Sequence, residues 1–311
     1  MRKEKILALT TFAILLASCS NDDEIPRFEN LEGTPIVIKA GVNNMITRAG
    51  WDSSNLPDRF IVSIDQDGTE YDYENVMMYK KADNSYAPSG TALIWGSNTH
   101  QATIKAYYLG EYNYSSSLAG SKRLPMYGQT SESSFREYDY LGACSAVEGD
   151  IQISGSAVNI NFRHLACKLD VKYTWSNELK SIDEKNILEC YHEGFSDYLT
   201  INFENGTVER TKDDSYYGYC FPYLYSNADG TYTSEFLFAP YYSSPKITIK
   251  TNIEGEERKF EVNVPEPAGG FKSGHRYTLN VCVGGNSAQA GTVNIAQGWD
   301  TNTSDGSFEM E

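Results

Sequence analysis

Apolar and polar residues alternate along much of this chain. The alternation, with β-branched and aromatic residues at many of the apolar positions, recurs in the segments Phe60–Ile64, Ala102–Ala106, Val158–Phe162, Lys246–Lys250, Phe260–Val264 and Leu279–Val283. A period of two is typical of strands that bury one face. No stretch has convincing helical spacing, and the best candidate, Ser176–Leu188, is marginal. The pattern therefore predicts an all-β fold.

Turn-forming residues separate these segments. Asn205-Gly206 stands between apolar residues 199–203 and Val208, and it predicts a type I′ hairpin turn because both residues tolerate a positive φ. Asp229-Gly230 and Glu254-Gly255 look similar. Many short strands with frequent turns favour β-sandwiches over a parallel sheet. A boundary near Tyr173–Lys180 would divide the chain into two halves, each of a size to form one sandwich.

The alternation changes phase between the two halves. The alternating apolar residues have even numbers up to Phe162 and odd numbers from Leu165 to Val171, so they would lie on opposite faces of one continuous strand. A β-bulge or a switch from one sheet to another near His164 would explain the change.

The N-terminus has the pattern of an export signal. A basic start precedes a short apolar run, Ile6–Leu16, and small residues then precede Cys19. The run is too short to span a bilayer. A cysteine at the cleavage point makes the segment resemble a bacterial lipoprotein signal, with Cys19 as the lipidated first residue; a plain signal peptide with a chance cysteine is the alternative. The acidic residues that follow resemble a surface-export tag, or form a solvated tether.

A strand-like segment precedes an exposed basic site. Thr34–Ala40, with Ile36, Val37 and Ile38 at its centre, reads as a strand, and Arg48-Ala49 offers a basic cleavage point after it. A strand cut away from its sandwich would leave unpaired backbone groups and an apolar groove that another chain could fill.

Charge and composition restrict the partners. The net charge is −16, and removal of residues 1–18, with three basic groups and one acidic group, leaves −18. Such an acidic chain argues against nucleic acid or anionic lipid as a partner. With 40% hydrophobic residues the chain can bury a core, and its 311 residues fit two domains better than one.

Candidate chemistry is sparse. The sequence has no nucleophile elbow, zinc-protease, P-loop or dinucleotide-binding motif, and nothing in it points to a cofactor or a metal. His164 and His275 lie in strand segments, where a hydrogen-bonded structural histidine is expected. Cys144, Cys167, Cys190, Cys220 and Cys282 are widely spaced, so mostly free thiols are expected, with Cys167 and Cys282 as small buried residues. One disulfide is also compatible with the sequence, because an exported chain leaves the reducing cytosol.

Tyrosine pairs recur in or beside the turns, and they include Tyr112/Tyr114 and Tyr216/Tyr217. Exposed aromatic rings can contact sugars or protein partners, whereas tyrosine is also an ordinary strand residue. These four tyrosines are therefore candidate ligand contacts.

Several of these stretches, in this order and spacing, make the chain resemble the fimbrillin-like family, the subunits of the Bacteroidetes type V pilus. They are Cys19, Thr47-Arg48-Ala49, Trp95, Ala106-Tyr107-Tyr108, Gln129, Tyr138–Leu141, Phe162–Leu169, Gly274–Leu279 and Ile295–Trp299.

The resemblance implies two transthyretin-like β-sandwich domains in a lipid-anchored precursor on the outer membrane. It implies cleavage after Arg48, loss of the segment that carries the removable strand, and assembly with other fimbrial subunits by strand addition. The implied division is a signal peptide at 1–18, a propeptide at 19–48, and sandwiches at 49–175 and 176–311.

One feature departs from a stalk subunit. After Trp299 the tail is acidic and has almost no strand pattern, whereas a stalk subunit is expected to offer donor strands there. A tip or accessory subunit is therefore expected, with no enzymatic activity. The alternative is a surface lipoprotein that captures a host glycan or protein and does not polymerise.

Overall fold

A computed structural model describes residues 31–42, 50–66, 69–96, 102–110, 118–210 and 218–296. In these ranges the chain is almost entirely β, which confirms the all-β prediction. The strands are β1 (Val37–Val42), β2 (Arg59–Asp65), β3 (Tyr73–Lys80), β4 (Ser85–Pro88), β5 (Thr103–Tyr108), β6 (Ser121–Pro125), β7 (Leu141–Cys144), β8 (Ile151–Ser154), β9 (Ala157–His164), β10 (Cys167–Trp175), β11 (Lys185–Phe195), β12 (Tyr198–Asn202), β13 (Thr207–Glu209), β14 (Tyr223–Ser226), β15 (Tyr232–Phe238), β16 (Tyr242–Ile253), β17 (Glu256–Asn263), β18 (Arg276–Val283) and β19 (Ala288–Ile295). The helix α1 spans Glu132–Tyr138.

The earlier strands form a sheet that closes on itself. Its order is β4-β3-β2-β5-β7-β9, and β1 pairs with both β4 and β9, so the hydrogen bonds run round a ring; β8 adds to β9. We call this the ring sheet. Alternate side chains point inward and form one core, with Ile38, Phe60, Val62, Trp95, Ile104 and Phe162 among its members. The closure depends on β1.

The later strands form a sandwich of two sheets. One sheet has the order β14-β15-β10-β18-β19 and the other the order β11-β16-β17. Their inner faces share a second core, which includes Leu169, Val171, Phe195, Phe236, Ile249 and Leu279.

A third, smaller layer joins these two regions. β6 pairs with β12, which pairs with β13, and α1 lies beside them. Their apolar side chains pack with Ile61 and Tyr107 from the outer face of the ring sheet and with Leu237 of β15. β10 precedes the expected boundary at residues 175 and 176, yet it pairs with β15 and β18. The number and limits of the domains stay a prediction.

The change of phase near His164 marks a switch between sheets. β9 ends at His164 in the ring sheet, and β10 begins at Cys167 in the five-stranded sheet. Of the two explanations that the sequence left open, the switch is the one found.

The predicted turns differ in type. Glu254-Gly255 is a two-residue turn between paired Ile253 and Glu256, and both residues have positive φ, 54° and 80°, as type I′ requires. Asn205-Gly206 does connect two strands, β12 and β13, but only Gly206 has a positive φ there. The type I′ prediction is wrong at this site, since the Asn205 side chain instead accepts hydrogen bonds from the backbone and hydroxyl of Thr207.

The helical prediction is also corrected. The segment 176–188 contains turns and the start of β11, and no helix. The helix that exists, α1, has only seven residues. A reciprocal cap between Ser131 and Ser134 begins it, and Phe135 and Tyr138, three residues apart, bury one side.

Candidate assembly site

The strand β1 lies between two neighbours of opposite direction. It runs antiparallel to β4, with Ile38 opposite Tyr86, and parallel to β9, with Val37 opposite Ala157. The pairing extends upstream, where the Ile36 amide donates to the Leu93 carbonyl at 2.8 Å. The backbone of this segment is therefore hydrogen-bonded along both of its edges.

The side chains of β1 follow a period of two. Ile38 and Val42 of β1, and Ile36 just before it, point into the core of the ring sheet, and Ile38 has no exposed surface. Val37, which is 39% exposed, and Lys39 point outward. Each side chain that β1 buries is apolar, so the core recognises this strand by shape and hydrophobicity alone.

Trp95 closes one end of the groove that holds β1. Its side chain is 1% exposed, and its Nε1 donates to the Ser156 carbonyl at 3.2 Å. The Val37 amide donates to that same carbonyl at 3.0 Å. The Trp95 side chain thus links the segment after β4 to the residue before β9, and β1 lies between these two strands.

Aromatic rings line the groove that holds β1, on the flanking strands β4 and β9 and on β2. Phe60 packs against Tyr86 at 4.7 Å and against Phe162 at 5.1 Å between ring centroids. The Tyr86 hydroxyl donates to the Pro57 carbonyl at 2.7 Å, and burial raises the pKa of this phenol. Because these rings hold one another in place, removal of β1 would expose an apolar groove with unpaired backbone edges on β4 and β9.

The other predicted site residues lie outside the described part of the chain. These are the lipidation site Cys19, the processing site Arg48 and Ala49, and the tyrosines Tyr112, Tyr114, Tyr216 and Tyr217.

Sequence reasoning missed the role of Trp51, the third residue after Arg48. Its amide donates to Asp139 Oδ2 at 2.9 Å, and its indole nitrogen donates to the Arg136 carbonyl at 3.2 Å. Its ring meets Tyr108 edge to face at 5.1 Å. These contacts do not involve β1, so they would hold this part of the chain after a cut at Arg48. A tryptophan three residues after the predicted cleavage site was the available indication.

Comparisons with known proteins agree with this architecture. The model of the fimbrillin-like family matches residues 47–299. The chain belongs to the fimbrillin-like family. No curated protein matches it.

Solved structures share the fold of this fimbrillin-like chain. A candidate cell adhesion protein from Bacteroides ovatus superposes with a TM-score of 0.58 at 17% identity, covering 88% of this chain and 99% of that one. A second, from Bacteroides uniformis, superposes with a TM-score of 0.57 at 16% identity, covering 85% and 97%. At these identities the likeness concerns the fold.

Two of the fimbrillin-like chain's histidines make hydrogen-bond contacts, as predicted, but only His164 lies in a strand, since β18 begins one residue after His275. His164 Nδ1 lies 2.7 Å from Asp139 Oδ1, with both side chains buried. His275 Nδ1 lies 3.0 Å from the Ser273 carbonyl. A third, His192, is fully buried, and burial lowers its pKa to about 3, so its ring is neutral at physiological pH.

Five of the cysteines lie in the described part of the chain. All five have free thiols, which agrees with the prediction of mostly free thiols. The single disulfide that the sequence also allowed is not formed among them. Burial raises the pKa of Cys190 and of Cys220 to about 12, which keeps these thiols protonated. Cys167 is buried as expected, but Cys282 is exposed, since it alternates with the inward-facing Val281 and Val283.

Other chemistry is equally sparse in the described residues. They contain no cluster of three or more histidine, cysteine, aspartate or glutamate side chains placed to hold a metal ion. Nor do they contain a helix long and apolar enough to cross a membrane. The arrangement that stands out chemically is therefore the groove that binds β1, whose chemistry is strand pairing.

Proposed function

We propose that this protein is a structural and adhesive subunit of a cell-surface fimbria. In this proposal it is exported as a lipoprotein, anchored in the outer membrane through Cys19, and cut after Arg48. The cut segment leaves with β1, and a strand from another fimbrial subunit replaces it. Membership of the fimbrillin-like family supports the fimbrial role.

The observation that carries the proposal is the position of β1. It is bonded on both edges, it supplies only apolar side chains to the core, and residues 43–50 alone separate it from Trp51. A strand held in this way can leave without breaking any contact of a charged side chain with the core. An incoming strand with the same alternation would restore both rows of hydrogen bonds.

The composition of residues 300–311 supports one position in the fibre over another. These residues are mostly polar and acidic, without the alternation that a donor strand needs. We therefore propose a tip or accessory subunit.

The test is the N-terminal sequence and the mass of the protein recovered from the cell surface, for the natural chain and for Arg48→Ala. We expect the natural chain to begin at Ala49 without lipid, and the Arg48→Ala chain to begin at a lipidated Cys19 and to stay out of fibres. Lys39→Ala, an exposed basic residue in β1, serves as the control and should be processed normally.

Two results would overturn the mechanism. Normal maturation and assembly of Arg48→Ala would exclude the cleavage step. A natural chain that retains the lipid at Cys19 would favour a surface-anchored binding lipoprotein that does not polymerise.

A further inference from the structure

An open cavity lies at one end of the ring sheet, away from the groove that binds β1. Its volume is about 510 Å³, within the range of small-ligand sites. The start of β2, the end of β3, the end of β5, the helix α1 and Trp51 form its walls.

Three aromatic rings supply its apolar surface. Tyr79 is 39% exposed, whereas Tyr108 is 7% exposed and is fixed by its edge-to-face contact with Trp51. The guanidinium of Arg136 lies 5.8 Å from the centre of the Trp51 ring. Ring surface that is exposed and held by neighbours can bind the C–H face of a ligand at a low cost in conformational entropy.

Four charged side chains line the cavity beside these rings, two of each sign, and Arg136 also pairs with Glu132 of α1, which lies outside the lining. Asp58 and Glu137 are acidic, while Arg59 and Arg136 are basic. This balance differs from the chain as a whole, which has 42 acidic and 26 basic residues. Two carboxylates would repel an anionic ligand, and two guanidinium groups would repel a cationic one. A neutral ligand with many hydroxyl groups could instead donate to the carboxylates and accept from the guanidinium groups.

We propose that this cavity binds a neutral saccharide. The apolar face of the sugar would pack on Tyr79 and Trp51, and its hydroxyl groups would pair with Asp58, Arg59 and Arg136. The site lies outside the β1 groove, so the proposal does not depend on strand exchange. It names a class of ligand and a binding site for that ligand. This site does not include the candidate contact tyrosines at residues 112–114 and 216–217.

The experiment is saturation-transfer NMR and calorimetry on the purified full chain. The probes are galactose, glucose, mannose, N-acetylglucosamine and lactose, with glucuronic acid and N-acetylneuraminic acid as charged comparisons. We expect one or more neutral sugars to bind, and Tyr79→Ala and Asp58→Asn each to weaken that binding by about tenfold or more. Tyr219→Ala removes a tyrosine that is 65% exposed and lies outside the cavity, and it should bind normally.

Three results would overturn the proposal. They are no binding by any neutral sugar in the panel, preference for the two acidic sugars, and equal binding by Tyr79→Ala and Tyr219→Ala. Fibre formation, measured separately on the same variants, should be unchanged, so failure of this proposal is distinguishable from failure of the fimbrial one.

Discussion

The first strand of the ring sheet and the first strand of the later sandwich have the same kind of neighbours. β1 pairs antiparallel with β4 and parallel with β9. β10 pairs antiparallel with β15 and parallel with β18. Each strand is bonded on both edges, and each completes the sheet that it enters.

The two strands differ in what they bury. β10 buries Lys168, whose Nζ lies 2.5 Å from Glu235 and 3.5 Å from Asp170, and Asp170 in turn pairs with Arg276 at 2.6 Å. Both strands send apolar side chains into their own core, such as Ile38 of β1 and Leu169 of β10, but the opposite face of β1 carries the exposed Val37 and Lys39 and buries no charge. A buried charge requires a partner at one place, whereas an apolar side chain requires only a fitting volume. The comparison indicates that β10 is specific to its own sandwich, and it supports the proposal that β1, and not β10, is the strand that is exchanged.

The largest effect is expected from breaking the ion network of β10. Lys168→Met leaves Glu235 buried without its cation, and we expect the free energy of unfolding to fall by about 3–5 kcal/mol. Urea denaturation measures the change, and hydrogen exchange along β10 locates it. Replacement of both partners, Lys168→Met with Glu235→Leu, should recover part of the loss.

Lys172→Ala is the matched control for this prediction. Lys172 is on the same strand, and its pair with Asp229 is largely exposed. Its loss should change stability by less than about 1 kcal/mol. If Lys168→Met is no more harmful than Lys172→Ala, the ion network does not distinguish β10 from β1.

The second prediction concerns the volume that β1 fills. Ile38→Ala removes buried methyl groups from the core of the ring sheet and should cost about 3 kcal/mol. The loss should appear as faster hydrogen exchange in β1, β4 and β9, with β10 unchanged. Val37→Ala, one residue away and facing outward, should be nearly neutral; equal effects of the two variants would contradict the inward face assigned to Ile38.

The third prediction concerns the join between the two regions. The Gln129 amide donates to the Leu237 carbonyl at 2.8 Å and accepts from the Leu237 amide at 2.7 Å, so it takes the place of a neighbouring strand beside β15. Gln129→Ala leaves a buried donor and acceptor without this partner and should cost about 2 kcal/mol. Gln152→Ala, at an exposed position of β8, is the control. A cost as small as that of the control would mean that water replaces the amide.

The smallest expected effect depends on pH. Burial lowers the pKa of His192 to about 3, below its unfolded value of 6.5, and its ring nitrogens have no hydrogen-bond partner among the described residues. As the pH falls below the unfolded pKa, the unfolded chain takes up a proton that the folded chain does not bind, so stability falls. Between about pH 7 and about pH 5 the His192 contribution should fall by about 2 kcal/mol.

His192→Phe tests this prediction, since Phe195 and Phe236 already surround the ring. The variant should be at least as stable at neutral pH and should lose that part of the acid sensitivity. An unchanged pH profile of unfolding would show that His192 does not titrate on unfolding.

The sequence predicts the local parts of this fold and misses the long-range ones. Strands such as β2, β9 and β18 are visible because a buried face imposes a period of two. The pairing of β1 with β9 joins residues that are 120 positions apart, such as Val37 and Ala157, and no local pattern reports it. The seven-residue α1 is too short to show helical periodicity.

The same difference between local patterns and long-range contacts applies to the candidate sites. Ile36, Val37 and Ile38 are predicted as a removable strand from the strand-like segment Thr34–Ala40 and the nearby Arg48; the structure contains a strand there, and its removal stays a prediction. The cavity beside Tyr79 was not predicted, because Asp58, Tyr79, Tyr108 and Arg136 come together only through folding.

The most direct test of the central claim is strand exchange on the full chain after a single cut between Arg48 and Ala49. An arginine-specific protease makes the cut, and two labelled peptides of residues 31–42 compete for the groove in mild urea. One has the natural sequence and the other carries Ile38→Asp. We expect the natural peptide to enter the cut chain and the Ile38→Asp peptide to bind about 100-fold more weakly, because it would bury a charge without a partner. Equal binding of the two peptides, or entry of neither, would contradict an exchangeable β1.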